Sequence, residues 1–471
     1  MTVARLVLQQ PHANRLNEIL IAAEGYERAA YVLCGVAAIA SDPWDGQPHL
    51  KFISHEVLTI PEDEVISRSP LHITWKTDSF VRALKIAQTK GLTLAVFHTH
   101  GTGFACFSEQ DDANEPDLLE LAQNRNGAST QILSAIMTPA GELVGRLWIS
   151  KNLYVPLQVI QVAGQSIRLH YEGRGQGELA PKFHRQALAF GPALTQDLSM
   201  MRVGIVGCGA TGSAVAILLP RIGIQKIALF DKDQVEDTNL NRLHCAKQSD
   251  ADAKRLKVEV LEQALTELGF GVQVKAFPTS ISDPQCYDAL RSCDIIFGCT
   301  DDNAGRVFLN RFAYYYATPV IDMGLAIEIY DGEPPEIKAL DGRVTFLLPN
   351  HPCLLCRGIV NTTLAGEESL KRTNPAEYER RKAEAYVIGE GNPSPSVVIF
   401  TTDVATMAIQ ELIHRLQGFR GANGAIAQRV RKFNLMEDRR QGANPNPNCS
   451  VCGIAECWGI GDVEPFLGLV G

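Results

Sequence analysis

The sequence contains no apolar run approaching the roughly 20 residues that a membrane-spanning helix needs. Its first residues, MTVARLVLQQPHANR, lack the apolar core of a secretory signal. Positive charge is not in excess: 44 Lys and Arg face 53 Asp and Glu, for a net charge of −9. That balance gives no basis for a nucleic-acid or anionic-membrane partner. A cytoplasmic protein is therefore expected. Of the 12 cysteines, most are scattered: Cys34, Cys106, Cys208, Cys245, Cys286, Cys293 and Cys299. In a long cytosolic chain such residues are mainly reduced and packed in the core. At 471 residues the chain is too long for one typical domain, and two or three are expected.

What is present centres on residues 202–242. Val203 to Val206 is an apolar run that reads as a buried parallel strand. Gly207, Gly209 and Gly212 follow in G-x-G-x-x-G spacing, then a helix-compatible run, Ser213 to Ile222. A second strand, Lys226 to Phe230, ends at Asp231. Strand, glycine turn, helix, strand and acid make a βαβ nucleotide site. The glycines admit phosphate to the backbone, and the acid reaches ribose hydroxyls. Alone this spacing suggests a dinucleotide. Asn239 and Arg242 have no place in a dehydrogenase, but a triphosphate needs donors and a cation there.

The first 160 residues carry a second pattern. Ala29 to Ala40 reads as strand and Ser79 to Lys90 as helix. Leu92 to Phe97 is an apolar strand that runs into His98-Thr99-His100, and residues two apart on a strand face one side. Ser108-Glu109-Gln110-Asp111 follows, before a helix over Asp112 to Gln123. Two imidazoles and a carboxylate with an open position are the ligands of a catalytic zinc. Ser-x-x-Asp by itself is also a helix-capping pattern.

The His98–His100 and Ser108–Asp111 motifs together resemble the JAMM (MPN-type) metalloproteases, which hydrolyse the bond after the C-terminal glycine of ubiquitin-like proteins. The resemblance implies that His98, His100 and Asp111 hold zinc and that Ser108 stabilises the oxyanion. It also requires an upstream glutamate. Glu27, in GYERAAYVLCG, is the choice, ahead of Glu24 and Glu56.

Beyond a Gly-rich, polar connector (161–182), a second resemblance appears. RQALAFG, GIVGCGATGS, LFDKDQVEDTNLNR, AKRLKVE and GCTDDNAGRVFLN resemble the ThiF/MoeB and ubiquitin-activating-enzyme superfamily. Residues 250–268 read as one amphipathic helix led by Lys254 and Lys257. Asp294 to Phe297 reads as a strand leading to Asp301-Asp302-Asn303, where an acid at the strand end faces the ligand crevice. Asp302 or Asn303 also fits as a helix cap. The resemblance implies that Asp231 binds ribose, that Asn239, Arg242 and Lys257 contact phosphates, and that Asp301 binds Mg²⁺. Gly207, Gly209 and Gly212 cradle the phosphates. Arg185 matches an arginine supplied across a homodimer interface.

Cys353-x-x-Cys356 and Cys449-x-x-Cys452 are either one tetrahedral zinc site or two redox pairs. The superfamily's bacterial members imply a structural zinc. Asn361 to Asn392 reads as a charged crossing loop. Ser394 to Gly418 starts strand-like and becomes a helix. Cys457 is the only spare downstream cysteine for a thioester.

The fold class expected is α/β: a JAMM-type metalloprotease domain (1–160), then a Rossmann-like, doubly wound adenylation domain with a structural zinc (183–471). The function implied is adenylation of the C-terminal glycine of a ubiquitin-like protein, with peptidase action on the bond after it. Thiocarboxylation of a sulfur-carrier protein is the alternative. ATP, Mg²⁺ and two Zn²⁺ are the implied cofactors. A conjugating enzyme is an expected further partner.

Overall fold

The computed structural model describes residues 2–21, 25–101, 103–173, 179–330, 332–383 and 395–468. The chain divides into two compact units. The first is Met1–Gln176 with Tyr315–Ala317 and Glu456–Glu464. The second is Gly177–Tyr314 with Thr318–Ala455 and Pro465–Gly471.

The first unit runs β1 (Val3–Gln9), α1 (Gln10–Leu20), β2 (Ala29–Ile39) and β3 (His49–Thr59). A small hairpin follows, β4 (Val65–Ser69) and β5 (His72–Trp75). Then come α2 (Thr77–Lys90), β6 (Thr93–His98), α3 (Glu109–Asn126), β7 (Ile132–Met137), β8 (Leu143–Ser150), β9 (Leu153–Ala163) and β10 (Arg168–Tyr171). The sheet order is β1-β3-β2-β6-β7-β8-β9-β10, and β1 also pairs with β9. That pairing closes the sheet into a ring and leaves neither β1 nor β9 an open edge. Alternation along the strands sorts two cores. Ala30, Val32, Ala95 and Phe97 pack with Leu16 and Leu20 of α1. Tyr31, Leu33, Leu94 and Val96 pack with Phe80 of α2 and Leu119 of α3. His98 follows Leu94 and Val96 at the same period, so it lies on the α3 face.

This sheet corrects one expectation. β9 runs to Ala163 and β10 pairs antiparallel with it, Arg168 opposite Val162. Residues 161–163 and 168–171 of the expected connector are therefore part of the sheet. Residues 456–464 also join this unit: Gly461 bridges Val36, and Ala38 N–H donates to Asp462 Oδ2 (2.8 Å).

The second unit runs α4 (His184–Phe190), α5 (Pro192–Met200), β11 (Arg202–Val206), α6 (Ala210–Ile222) and β12 (Lys226–Phe230). It continues with α7 (Gln248–Asp252), α8 (Lys257–Glu267), β13 (Gln273–Phe277), α9 (Tyr287–Ser292), β14 (Ile295–Gly298) and α10 (Asn303–Tyr315). It ends with β15 (Val320–Tyr330), β16 (Glu336–Leu347), α11 (Thr362–Thr373), α12 (Pro375–Ala383), α13 (Val398–Gln417), β17 (Gln428–Lys432) and β18 (Glu437–Arg440). The sheet order is β13-β12-β11-β14-β15-β16-β17-β18. The first five strands are parallel and the rest antiparallel. The order turns around between β11 and β14, which makes a ligand crevice at their C-terminal ends.

Three further expectations are corrected here. The single helix over 250–268 is two helices, because Lys254 takes a left-handed conformation (φ 49°) between them. Asp250 accepts from Arg255 across the break (2.8 Å), which fixes it. The crossing loop Asn361–Asn392 begins as two helices, α11 and α12, with Asn361 capping the first. Its residues 384–392 lie outside the described ones. The stretch from 394 contains no strand among the described residues, because α13 already begins at Val398.

Candidate functional sites

In the first unit, Ala29 of β2 pairs with His98 of β6. The ladder runs on past the strand: Thr99 N–H donates to Arg28 O (3.0 Å). This places Glu27 beside the histidines. Glu27 is 8% exposed, and His98 and His100 are each 7% exposed. His98 Nε2 lies 3.2 Å from Asp111 Oδ1, and His100 Nε2 lies 3.3 Å from Asp111 Oδ2. The two Nε2 atoms are 3.2 Å apart. Asp111 reaches them from the first turn of α3, where Ser108 is the N-cap. Ser108 N–H and Oγ each donate to Asp111 Oδ2 (2.7 Å), and Asp111 N–H donates to Ser108 Oγ (3.2 Å). Ser-x-x-Asp thus forms a capping box, and the same Asp111 carboxylate faces the two histidines. Of the other glutamates, Glu56 pairs with Lys90 (2.6 Å), and Glu24 lies outside the described residues.

The three groups set one another's charge. Burial pushes the Asp111 carboxyl up, but its bonds to His100 and His98 outweigh that and hold it far below the carboxylate range. His100 is raised by its bond to Asp111, against burial. Burial raises Glu27, and the two histidines pull it back only in part. Two nitrogens and one carboxylate oxygen converging within 4.8 Å fit the donor set of a three-ligand zinc site. Gly101 closes the rim: a Cβ there would stand 2.4 Å from Gly25 O and 2.8 Å from Pro70 O.

In the second unit the crevice encloses about 470 Å³. Gly207 has φ 88°, and a Cβ on it would meet the Cys299 backbone at 2.8 Å. A Cβ on Gly212 would stand 1.8 Å from Gly207 O, so the helix packs this close only with glycine. Gly209 caps α6 without a side-chain bond and has open space above it. The first amides of α6 thereby face the crevice, as an anion site requires. Asp231 accepts from Cys208 N–H (2.6 Å) and Asp233 N–H (2.8 Å). Burial raises its carboxyl, and Lys257 opposes this. Lys257 bonds Asp233 (3.1 Å); burial would lower its ammonium, but Asp231, Asp233 and Asp301 raise it. Lys257, not Lys254, lines the crevice, because the break at Lys254 starts α8 at Lys257.

Asn239 and Arg242 line the same crevice. Asn239 Oδ1 accepts from Glu236 N–H (3.3 Å), while Arg242 donates to Thr238 O and Asn241 Oδ1. Both acids line the crevice, and Asp302 also accepts from Gly305 N–H (3.1 Å) at the start of α10. Arg185 is exposed on α4 and is not among the described residues lining this crevice. Reasoning from sequence missed Arg372 of α11, which reaches the crevice and bonds Ser280 Oγ (3.0 Å). Its charged surroundings carried no signal.

The four paired cysteines converge, all sulfurs within 4.8 Å of one another. The close contacts run between the two motifs: Cys353 to Cys449 (3.5 Å) and Cys356 to Cys452 (3.3 Å). This tetrad fits a tetrahedral zinc better than two separate redox pairs. Cys457 is half-buried in a short turn, Ala455–Cys457.

The chain belongs to the ThiF family, whose model matches residues 183–452, more than half its length. A second family, the prokaryotic homologs of the JAB domain, matches residues 10–148. The molybdopterin-synthase adenylyltransferase of Escherichia coli is 26% identical over 267 residues, 55% of this chain and 89% of that protein. The sulfur carrier protein ThiS adenylyltransferase of Escherichia coli is 32% identical over 142 residues, 30% of this chain and 56% of that protein. Two other curated relatives are matched over 33% and 50% of their own length. The crystal structure of E. coli MccB with ATP aligns at 19% identity and a TM-score of 0.44, covering 58% of this chain and 75% of that one. No helix among the described residues is long and apolar enough to cross a membrane.

Proposed function

We propose that the protein is a bifunctional cytoplasmic enzyme acting at the C-terminal glycine of a ubiquitin-like protein. The observation that carries this reading is the convergence of Asp231, Lys257 and Asp301 on one glycine-lined crevice, in a chain that also assembles His98, His100 and Asp111. The names of the relatives support adenylation of a small protein.

In the adenylation unit, proposed as residues 183–471, Asp231 holds the ribose of ATP. Gly207, Gly209, Gly212, Asn239, Arg242 and Lys257 take the phosphates. Asp301 would hold Mg²⁺, which would supply charge neutralisation for the phosphates. A carboxylate oxygen of the terminal glycine attacks the α-phosphorus, the bond to the bridging oxygen breaks, and pyrophosphate leaves. The chain's own contribution is alignment and charge neutralisation. Arg185 acts on the crevice of a second copy in a homodimer.

In the peptidase unit, a zinc ion on His98, His100 and Asp111 would supply Lewis acidity to the scissile carbonyl and acidify water. Glu27 takes the proton from water and returns it to the leaving amine. Ser108 donates to the oxyanion. Cys353, Cys356, Cys449 and Cys452 hold a second, structural zinc.

ATP–pyrophosphate exchange that depends on the ubiquitin-like partner tests the first activity. Asp301→Ala should reduce it about 10³-fold, and exchange persisting in that variant would overturn the adenylation reading. The relatives' names favour a second reading, sulfur-carrier activation. A thiocarboxylate product would select it. A reducible adduct to Cys457 or to a conjugating enzyme would select modifier transfer.

A further inference from the structure

A buried cation on the sheet meets the metal loop from below. Arg146 of β8 is 2% exposed and lies on the same face as Trp148, toward α3. Its Nε donates to Glu115 Oε2 (2.8 Å) and its Nη1 to Asp112 Oδ1 (2.5 Å). Its guanidinium carbon sits 3.8 Å from the centre of the Phe107 ring. The Phe107 ring in turn lies 6.4 Å from the His98 ring. Glu115 is itself buried and also accepts from Ser134 Oγ and Trp148 Nε1. It is therefore anchored to the two strands beneath it.

Phe107 immediately precedes Ser108, and Asp112 immediately follows Asp111. One guanidinium thus grips the chain on both sides of the Ser108–Asp111 turn and ties it to the sheet that carries His98. A cation this deeply buried costs several kcal/mol of desolvation, which its partners must offset. An apolar pair would fill the space at less cost. A planar group that stacks on one face and donates along its edge is what holds a ring and two carboxylates at once.

We infer that Arg146 is a positioning residue for the metal site, setting where Asp111 and Ser108 stand relative to His98 and His100. The inference rests on the peptidase reading for its chemistry, but its geometry is independent of it. Groups that orient metal ligands from outside typically change affinity or activity by about 10- to 100-fold when removed.

The test uses the full-length protein and its variants Arg146→Met and Arg146→Lys. Zn²⁺ affinity is measured by chelator competition, with His98→Ala/His100→Ala identifying the peptidase site. Arg146→Met should weaken that site by about 10-fold or more and lower kcat for tail cleavage, with KM for the modifier unchanged. Arg146→Lys should recover part of the affinity through Glu115. The structural zinc and ATP–pyrophosphate exchange should not change. If Arg146→Met fails to fold by circular dichroism, Phe107→Leu, which removes the stacked ring, should move affinity the same way. A folded variant with unaltered Zn²⁺ affinity and kcat would overturn the inference. Zn²⁺ binding without any cleavage by the parent protein would overturn the peptidase reading alone, and affinity would still decide the role of Arg146. No Zn²⁺ at the histidine site in the parent would overturn both.

Discussion

The two candidate sites differ in how finished they are without a ligand. In the first unit, His98, His100 and Asp111 already touch, and all three are largely shielded. In the second, Asn239, Arg242 and Asp301 are spread along an open crevice, and the cations rest on local partners: Arg242 on its own turn, Lys257 on Asp233. A metal ion needs three donors within a few ångströms, so the fold must converge them fully. A triphosphate is long and brings its own charge, so the protein needs a lined trough and cations that can exchange partners. Behind the first site stands a buried ion pair, Arg146–Glu115, and beside the crevice of the second stands another, Asp322 with Arg343 and Arg306.

This contrast is open to direct attack. The largest effect should come from His98→Ala/His100→Ala. Cleavage should fall to background and metal analysis should drop from about two zinc ions per chain to one, with ATP–pyrophosphate exchange intact. One zinc in the parent would remove the convergent site from the comparison. Glu27→Gln should lower cleavage about 10²-fold while leaving both zinc ions in place, which separates proton transfer from metal binding. Loss of zinc in that variant would make Glu27 a metal-holding group instead.

Cys449→Ser should remove the other zinc and destabilise the ThiF unit, on the order of 4 kcal/mol in thermal or denaturant unfolding. Cleavage should survive, and a parallel loss of cleavage would tie the two sites together. The smallest effect belongs to the first unit alone. Burial and the His55 charge push His12 down to about 4, against its bond to Ser54 and the Glu56 charge. A folded pKa below the unfolded value makes the contribution complete above about 6.5 and lost as pH falls towards 4. The loss is at most about 3 kcal/mol. His12→Gln should flatten that part of the stability curve. An unchanged acid limb would show that other groups govern it.

Much of both sites was legible because their signals are local. Period two on β6 puts His98 and His100 on one side, and the glycine spacing after β11 forecasts the turn into α6. β12 occupies Lys226–Phe230 as its apolar run indicates. Other features depend on contacts remote in sequence. The break at Lys254 is held by Asp250, Arg255 and the pairing of Gln234 with Leu256, none of which interrupts the amphipathic pattern. Arg146 reads as a polar residue on a strand until Phe107, Asp112 and Glu115 are seen around it. The charged stretch after Asn361 looks like loop, yet Glu368 of α11 accepts from Ala304 N–H at the start of α10 (2.7 Å).

The sequence alone determined which donors exist and how neighbours on one element face: the two histidines, the glycines after β11, the two Cys-x-x-Cys pairs, and with them both families. Those properties follow from backbone periodicity, which acts over a few residues. Tertiary structure decided the partners. It brought Glu27 to the histidines while Glu56 went to Lys90. It set Lys257 in the crevice and left Lys254 exposed, joined Cys353 to Cys449, and placed residues 456–464 in the first unit. Such choices depend on burial and on closing long stretches of chain, and only the packed sheets specify them.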